Sequence, residues 1–498
     1  MRMGYRRLIV VFISFILQIY LSMAMSLLLS DHLGILKVIY TIISMIIVLN
    51  MVKNSRNLSY HLPWIILIMI FPIIGGILYL IIGNNLKRNK TFKRLKENYK
   101  NDEKYILDND ISKEIKDKSM DNIKYLLKYN KFPVTKNNDY IYYPLGDYAY
   151  VDMINDLKKA SKFIFMEYFI ISKGVMWNTI LNILEDKVKQ GVEVRVMYDD
   201  AGSIFLPNNY PKILEAKGIK CTAFNPLKPF LGVFMNNRDH RKIMIIDGKI
   251  AYTGGMNIAD EYINKKIRFG KWKDNALRIY GDATWNFTVS FLTLWNSHIK
   301  EDIDYTKYKY NFDNTYNDGY AVTYFDTPLD DEELSENIYL NIINKAKKYV
   351  YICTPYLIID NNMLNAIALA SKRGVDVRII VPGIPDKKII YTLSTSYFEP
   401  LIKCGVKIYK YRNGFIHSKV FVSDDTVSTV GTVNLDFRSL YLHFECGVYL
   451  EEVSVIKDIK KDIEETLLES DIITNKSISH GLIKSIWQAL LRLVAPLL

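Results

Sequence analysis

The chain has 498 residues, which is too long for one ordinary hydrophobic core and predicts two to four structural units. Hydrophobic residues make up 49% of it, the upper edge of the range for soluble proteins, and the net charge of +12 favours an anionic partner, either lipid or nucleic acid. The four cysteines lack CxxC spacing, which argues against a zinc site or a disulfide framework. We therefore expect buried free thiols at Cys221, Cys353, Cys404 and Cys446.

Much of the apolar excess lies near the N-terminus, in three runs at residues 8–29, about 33–52 and about 63–83. At about 1.5 Å per residue, the first run is long enough to cross the ~30 Å hydrocarbon layer of a membrane. A cleaved signal peptide would have a shorter apolar part and would not be followed by further apolar runs. We therefore expect residues 1–84 to form two or three membrane-embedded helices.

The third apolar run decides the predicted topology. Basic residues within 87–90 follow it and favour the cytoplasmic side, whereas three simple crossings would place them outside. Because Pro72, Gly75 and Gly76 interrupt the run, we expect it to bend and return to the side that it entered from. This hypothesis gives a multi-pass protein of the cell membrane whose remaining residues are cytoplasmic, and three crossings are the alternative.

A polar stretch at residues 85–139 follows, in which we expect one or two polar helices and a linker rather than a packed core. Beyond it the sequence repeats: NDLKKASKFIFMEYFIIS at 155–172 is matched by NKAKKYVYICTPYLIID at 344–360. Helical patterns alternate with β-branched runs, which predicts an α/β fold with largely parallel central strands. We predict two similar α/β halves, at residues 140–300 and 301–475, related by pseudo-two-fold symmetry.

The last segment, residues 476–498, differs from both halves. Its apolar residues recur at helical spacing, while Lys484, Gln488 and Arg492 fall on the opposite side. The apolar residues are Leu482, Ile483, Ile486, Leu490, Leu493 and Leu497. Two interpretations remain open: a helix packed on the domain, or a helix in the membrane interface, where Trp487 would suit the headgroup level.

Each half also carries the same polar element, HRKIMIID at 240–247 and HSKVFVSD at 417–424. An asparagine follows at the same distance from each histidine. The shared residues are His240, Lys242, Asp247 and Asn257 in the first half and His417, Lys419, Asp424 and Asn434 in the second. In a strand, residues i and i+2 face the same side, so each histidine lies beside its lysine. Asp247 and Gly248 also form a natural two-residue hairpin turn.

These residue types suit the cleavage of a phosphodiester. Neutral imidazole can attack phosphorus and protonated imidazole can donate a proton, so two histidines across a symmetric cleft would give an in-line geometry. Lys242 and Lys419 would neutralise the phosphoryl oxygens, and Asn257 and Asn434 would donate hydrogen bonds to them. Such a site requires no metal or other cofactor.

The pattern HxKx4D, followed by a glycine-rich turn and asparagine, resembles the HKD motif of the phospholipase D superfamily from about residue 140 onward. The resemblance implies one active site shared by both motifs, without a metal, in which His240 is the nucleophile and His417 is the general acid and then the base. Asp247 and Asp424 belong to the motif and are candidate catalytic residues. A turn or ion-pair role within each half is the alternative for both aspartates.

Other residues are candidates for orienting the imidazoles. Asp274 in KWKDNALRI and Glu445 in LHFEC would hold a histidine ring through a carboxylate. His443 is expected to be structural or to lie at the rim of the site.

Several further segments resemble bacterial cardiolipin synthases: GGMNIADEY at 254–262, WKDNALRIYG at 272–281, TPY at 354–356 and the apolar run around 64–83. The resemblance implies that two phosphatidylglycerols give cardiolipin and glycerol through a phosphatidyl-histidine, with an anionic phospholipid as substrate and a membrane as partner. No GxxxxGK[ST] sequence is present, which agrees with a reaction that needs no nucleotide.

Three alternatives stay open. One is a hydrolytic phospholipase D or a transphosphatidylase with another alcohol acceptor. Another is a membrane-anchored nuclease, which would account for the positive charge, although we expect no nucleic-acid partner. The third is a non-catalytic membrane scaffold.

Overall fold

A computed structural model describes residues 34–54, 58–71, 74–76, 90–106, 111–116, 120–227, 236–301, 303–313, 316–475 and 481–497, together with residues 20, 24, 27, 79 and 478. The first predicted apolar run, residues 8–29, lies almost wholly outside these residues. Helices α1 (Gly34–Asn54) and α2 (Leu58–Ile70) come from the second and third runs and pack together through Met51, Trp64 and Ile68. Among the helices that the structure describes, none has both the length and the apolar composition that a membrane span requires.

The polar stretch folds into three helices, α3 (Lys90–Asn101), α4 (Ile111–Lys116) and α5 (Asp121–Tyr129). Their apolar residues enter the cores of the globular region, since Phe92 and Leu95 are buried against the first cluster of core side chains. The expectation of one or two polar helices without a packed core is therefore wrong both in the number of helices and in their packing. Thinly spaced apolar residues on one helix face are enough to dock a helix on an existing core.

The first half is a seven-stranded sheet in the order β1-β8-β6-β5-β2-β3-β4. Its strands are β1 (Asn138–Tyr143), β2 (Phe163–Tyr168), β3 (Glu193–Asp199), β4 (Lys220–Phe224), β5 (Lys242–Ile246), β6 (Ile250–Gly254) and β8 (Ala276–Gly281), with the short β7 (Lys271–Lys273) outside the sheet. Its helices are α6 (Gly146–Lys159), α7 (Val175–Lys189), α8 (Tyr210–Glu215) and α9 (Ala283–His298). Every residue of β2 and β5 is buried, as expected of strands covered on both faces.

The second half is an eight-stranded sheet in the order β9-β16-β15-β14-β10-β11-β12-β17. The first seven strands match those of the first half one by one, and β17 is added at the edge. Its strands are β9 (Tyr320–Asp326), β10 (Tyr349–Cys353), β11 (Asp376–Pro382), β12 (Lys407–Tyr411), β14 (Val420–Ser423), β15 (Val427–Gly431), β16 (Glu445–Glu451) and β17 (Ser470–Ile472), with β13 (Gly414–Ile416) outside the sheet. Its helices are α10 (Leu334–Lys345), α11 (Asn361–Lys372), α12 (Lys388–Thr395), α13 (Phe398–Lys403), α14 (Phe437–Tyr441) and α15 (Ile456–Leu468), and helix α16 (Leu482–Val494) follows. The matching strand orders confirm two similar α/β halves.

The central strands are only partly parallel. β2, β3 and β4 run parallel, as do β10, β11 and β12, which agrees with the predicted alternation of strands and helices. The motif strands β5 and β14 instead pair antiparallel with β2 and β10. The prediction of largely parallel strands fails there because each motif strand is the first arm of a hairpin, and a hairpin forces antiparallel pairing.

The two halves meet along the segments that carry the motifs. β13, just before His417, pairs in parallel with β7 of the first half. Residue Asp239, just before His240, forms an isolated bridge with Phe444 of the second half. Helix α9 is buried on nearly all sides and contacts strands of both sheets, so the halves share one hydrophobic cluster. This pairing brings both motifs to the interface between the halves.

Candidate active site

His240 is held from the second half. Its backbone N–H donates to the carbonyl oxygen of Phe444 at 2.9 Å. Its Nδ1 lies 2.9 Å and 3.0 Å from the two carboxylate oxygens of Glu445, the first residue of β16. His240 is 6% exposed and Glu445 is fully buried. The carboxylate thus fixes one ring nitrogen and leaves Nε2 for a substrate.

His417 is held from the first half in the same way. Its backbone N–H donates to the carbonyl oxygen of Lys273 at 2.7 Å, and its Nδ1 lies 2.6 Å from Oδ2 of Asp274. Asp274 is fully buried, directly after β7. Each predicted carboxylate therefore lies against an imidazole, and each belongs to the opposite half. Each motif histidine therefore depends on the opposite half for the carboxylate that orients it.

The two carboxylate sites differ at one position of the repeat. In the second half, the hydroxyl of Thr432 donates to Oε2 of Glu445. The matching residue of the first half is Gly255, where a Cβ would lie 2.0 Å from Oδ1 of Asp274. The absent side chain makes room for the shorter Asp274 carboxylate to reach His417.

The lysines of the motifs lie beside the histidines, as predicted for residues i and i+2 of a strand. The Lys242 ammonium donates to the carbonyl oxygen of His240, and the Lys419 ammonium donates to that of His417. Burial lowers the pKa of Lys242 to about 8 and the pKa of Lys419 to about 7, while Asp274 and Glu445 oppose both shifts. The site therefore holds two buried lysines whose charged forms an anionic ligand would stabilise.

Both imidazoles favour the neutral form. Burial lowers the pKa of His240 well below its usual range, and the charges of Lys242, Lys419 and His417 lower it further. Burial and Lys419 lower the pKa of His417 to about 4, against the opposing effect of Asp274. Because His417 and Lys419 of the second half affect the pKa of His240, the two motifs share one electrostatic environment. A neutral imidazole is the form that can attack phosphorus.

The two asparagines are not equivalent. Oδ1 of Asn257 accepts from the backbone N–H of Ile170 at 3.0 Å, and its Nδ2 donates to the hydroxyl of Tyr262 at 2.7 Å. Asn434 is 5% exposed, and within the described part of the chain its Oδ1 has no hydrogen-bond partner. Asn257 therefore supports the wall of the site, whereas the amide oxygen of Asn434 is left without such a contact.

Asp247 and Asp424 lie away from the histidines, and their contacts favour the alternative turn role over the candidate catalytic role. A rise of about 3.3 Å per residue puts each aspartate about 17 Å beyond the lysine of its motif. The carboxylate of Asp247 accepts from the backbone N–H groups of Ser161, Lys162 and Phe163 at 2.7–2.9 Å. That of Asp424 accepts from the backbone N–H groups of Lys347, Lys348 and Tyr349 at 2.7–2.9 Å.

The conformation at these aspartates explains their place in the motif. Asp247 and Gly248 have φ of 55° and 68°, and Asp424 and Asp425 have φ of 52° and 62°. Two successive positive φ values are typical of the type I′ turn that joins hairpin strands. The predicted turn is present at Asp247 and Gly248, but the connection is longer than the predicted two residues, since the register pairs Ile246 with Ile250 and leaves three residues between them. Each aspartate ties its turn to the start of the neighbouring strand.

Arg241 was not singled out from the sequence. It is fully buried, and its guanidinium donates to the Glu445 carbonyl oxygen at 3.3 Å, the Ser290 hydroxyl at 3.2 Å and the Tyr99 hydroxyl at 3.2 Å. It therefore fixes the strand of the carboxylate that holds His240. The one signal in the sequence is that the second motif has Ser418 at the matching position.

Aromatic rings complete the walls around the imidazoles. Phe169 and His443 lie 5.0 Å and 5.5 Å from His240, and Tyr262 and Trp272 lie 5.4 Å and 5.5 Å from His417, between ring centroids. His443 was expected to be structural or at the rim; it lies in the wall of the site. All four cysteines are free, as predicted, but the expected burial holds only for Cys221, Cys353 and Cys446, because Cys404 is partly exposed.

Comparison with known proteins agrees with this geometry. The family model described as "Cardiolipin synthase, PLD-like domain" matches residues 153–281 and 339–467, one copy in each half. The family model described as "Phospholipase_D-nuclease N-terminal" matches residues 38–84. The repeat inferred from the sequence is therefore the repeat of a known domain.

Similar proteins span nearly the whole chain. A cardiolipin synthase of Alkalihalophilus pseudofirmus is 34% identical over 478 residues, which cover 93% of this chain and 94% of that protein. A cardiolipin synthase of Clostridium perfringens is 35% identical over 461 residues, which cover 89% and 95%. The crystal structure of a phosphatidylserine synthase of Haemophilus influenzae has the same fold, with a TM-score of 0.58 at 16% identity over 76% of this chain and 98% of that one. The chain therefore belongs to the family of PLD-like cardiolipin synthases.

Proposed function

We propose that this enzyme transfers a phosphatidyl group from one phosphatidylglycerol to another, giving cardiolipin and glycerol. The observation that carries the proposal is the crossed pairing of His240 with Glu445 and His417 with Asp274, beside two buried lysines. The cardiolipin synthases among its relatives support phosphatidylglycerol as the substrate.

The first step forms a covalent intermediate. Nε2 of the neutral His240 attacks phosphorus, the bond from phosphorus to the glycerol oxygen breaks, and His417 donates a proton to that oxygen. This step requires the protonated form of His417, which burial disfavours and which Asp274 and the anionic phosphodiester stabilise. Glycerol leaves, and a phosphatidyl-histidine remains on His240. Glu445 accepts from Nδ1 of His240 and stabilises the positive charge that the ring acquires.

The second step reverses the roles. The terminal hydroxyl of a second phosphatidylglycerol attacks phosphorus, His417 accepts the hydroxyl proton, and the bond from phosphorus to His240 breaks. Asp274 stabilises the protonated form of His417, which burial disfavours. One ester replaces another, so the proton returns to His417 and the enzyme returns to its starting state.

The remaining residues stabilise the negative charge of the transition state. Lys242 and Lys419 would neutralise the equatorial phosphoryl oxygens, and the amide of Asn434 would donate a hydrogen bond to one of them. Because these cations are buried, their attraction to a phosphodiester is weakly screened by solvent.

The terminal helix α16 supports a site of action at the membrane. Its polar side docks on the second half, where Gln488 donates to the hydroxyl of Thr395 at 3.0 Å and Arg492 donates to that of Ser396 at 2.9 Å. Its apolar side faces outward, with Ile483 86% exposed. This arrangement favours the interfacial helix over a helix packed by its apolar side.

The N-terminal residues would anchor the enzyme. The match of residues 38–84 to a phospholipase D N-terminal family and the exposed apolar side chains of α1 support this part of the proposal. We expect a cytoplasmic catalytic region, as the basic flank at residues 87–90 indicates. Protease added outside intact cells should leave the catalytic region uncut, and digestion of that region would reverse the topology.

The decisive experiment for the function is a product assay. The purified enzyme, supplied with phosphatidylglycerol alone, should yield cardiolipin and glycerol in equal amounts by mass spectrometry, and His240→Ala should yield neither. Phosphatidic acid as the only lipid product would instead indicate a hydrolase. Cleavage of oligonucleotides that is lost in His240→Ala would favour the nuclease.

The role of α16 has its own test. The substitutions Ile483→Asp and Leu490→Asp should raise the KM for phosphatidylglycerol in vesicles. They should leave turnover in detergent micelles unchanged, because only the vesicle requires docking on a bilayer. Lys484→Gln, on the polar side of the same helix, is the matched control. An unchanged KM in the Asp variants would exclude the interfacial role.

A further inference from the structure

Three ligand-bearing side chains converge beside the proposed nucleophile: His240, His443 and Glu445. One ligand atom from each lies within 4.8 Å of the others. Nδ1 of His240 is 2.9 Å from Oε1 of Glu445, and Nδ1 of His443 is 3.7 Å from the same oxygen. The rings of the two histidines are 5.5 Å apart between centroids.

His443 is the member that the transfer reaction does not use. Its side chain is 9% exposed, and within the described part of the chain neither ring nitrogen has a hydrogen-bond partner. A buried imidazole with two unsatisfied nitrogens is costly unless it meets a ligand. The matching residue of the first half is Trp272, which packs against His417 as His443 packs against His240 and offers no ligand atom. Among the residues that the structure describes, the cluster therefore forms beside His240 and has no counterpart beside His417.

We propose that His240, His443 and Glu445 bind one divalent transition-metal ion of the zinc class, and that the bound ion inhibits the enzyme. Two imidazoles and a carboxylate, with a fourth position for water, form a common zinc site. Tetrahedral ligands about 2.0–2.1 Å from zinc lie about 3.3 Å from one another, and the separations of 2.9 Å and 3.7 Å lie on either side of that value. Small side-chain shifts would complete the site.

The consequence for the reaction is direct. The ion would take an imidazole nitrogen of His240 and the carboxylate that orients that ring, so the nucleophile would be blocked until the ion leaves. Lys242 and Lys419 are buried nearby and repel a cation, so the binding would be reversible by a chelator. The ion is not needed for transfer, and the proposal goes beyond the proposed function.

Metal binding is measured without reference to turnover. The full-length chain in detergent, freed of metal by a chelator, is titrated with Co²⁺ and then with Zn²⁺. We expect one Co²⁺ per chain, with the strong visible absorption of a four-coordinate site, and displacement by Zn²⁺. A titration that shows no stoichiometric binding would overturn the proposal, even if the enzyme makes cardiolipin.

Variants assign the ligands. His443→Gln and, separately, His443→Asn should weaken Co²⁺ binding roughly 10- to 100-fold or more, because each removes one of three protein ligands. His298→Gln changes a half-buried histidine outside the site and should bind like the wild type. Wild-type binding by both His443 variants would refute the assignment, and near-ultraviolet circular dichroism checks that each variant is folded.

The inhibition has a separate readout. Zn²⁺ should stop cardiolipin formation by the wild type, excess chelator should restore it, and the His443 variants should need roughly 10- to 100-fold more Zn²⁺ for the same inhibition. Equal sensitivity of wild type and variants would contradict the inhibitory role. An inactive wild type would count against the proposed function, and the Co²⁺ titration would still decide the metal site.

Discussion

Gly255→Ala should disable the active site although it adds a single methyl group. The new Cβ would lie 2.0 Å from Oδ1 of Asp274 and 2.9 Å from the carbonyl oxygen of His417, whereas ordinary contacts begin at 3.4 Å. The Asp274 carboxylate must therefore retreat by about 1.4 Å. Since its other oxygen lies 2.6 Å from Nδ1 of His417, the hydrogen bond that orients this ring would be lost.

The expected cost follows from that displacement. Misplacing a catalytic group by about 1 Å lowers the rate roughly 10²-fold, and the barrier then rises by about 2.7 kcal/mol. We expect kcat for cardiolipin formation to fall by about this factor or more. The repeat alone suggests the opposite result, because Thr432 occupies the matching position of the second half with a larger side chain.

A double-mutant cycle separates this effect from a general loss of folding. Gly255→Ala should cost little more in a background that already carries Asp274→Ala, because the carboxylate that it displaces is gone. Gly481→Ala is the control, since nothing lies within 4 Å of a Cβ at that position. A folded Gly255→Ala enzyme with the kcat of the wild type would refute the reasoning.

Three further predictions concern the motif residues. His240→Ala and His417→Ala should each abolish turnover in the phosphatidylglycerol assay, and the double variant should be no worse than either, because the pair acts as one unit; additive losses would contradict this. Asp247→Ala should lower the free energy of unfolding by about 2–4 kcal/mol in denaturant titrations, because three backbone N–H groups lose their acceptor. The kcat of the folded variant should be unchanged. A lower kcat with an unchanged free energy of unfolding would instead indicate a catalytic role. The pKa values of about 8 for Lys242 and about 7 for Lys419 predict that kcat/KM falls as the pH rises through 7 to 8, because the lysines lose the charge that binds phosphate; a kcat/KM that stays level up to pH 9 would contradict it.

The repeated motif made much of the site predictable. The equal spacing from histidine to asparagine in both halves identifies the strand, its turn and the return strand, and the α/β pattern identifies the halves. The contact of each motif histidine with a carboxylate of the opposite half was not predictable. Asp274 lies against His417 because β7 pairs with β13, and no local pattern encodes a contact between segments so far apart.

The roles of three other residues could not be predicted from the sequence, each for a different physical reason. Arg241 acts through buried contacts with three separate elements, so its neighbours in the sequence do not reveal its partners. Asp247 shares a motif with His240, and that membership suggested chemistry, whereas the turn geometry fixes its carboxylate over backbone N–H groups at the far end of the strand. His443 became a candidate only when both of its nitrogens proved unpartnered within the described part of the chain.

The central claim is that one phosphoryl group lies between imidazoles from the two halves, and a crystal structure with bound orthovanadate tests it most directly. Vanadium takes the five-coordinate geometry of a phosphoryl group in transfer. The account predicts one vanadate per chain, bonded to Nε2 of His240 and hydrogen-bonded to Nε2 of His417, with Lys242 and Lys419 on its remaining oxygens. Vanadate bound to one half alone, with the other imidazole out of hydrogen-bond reach, would contradict it.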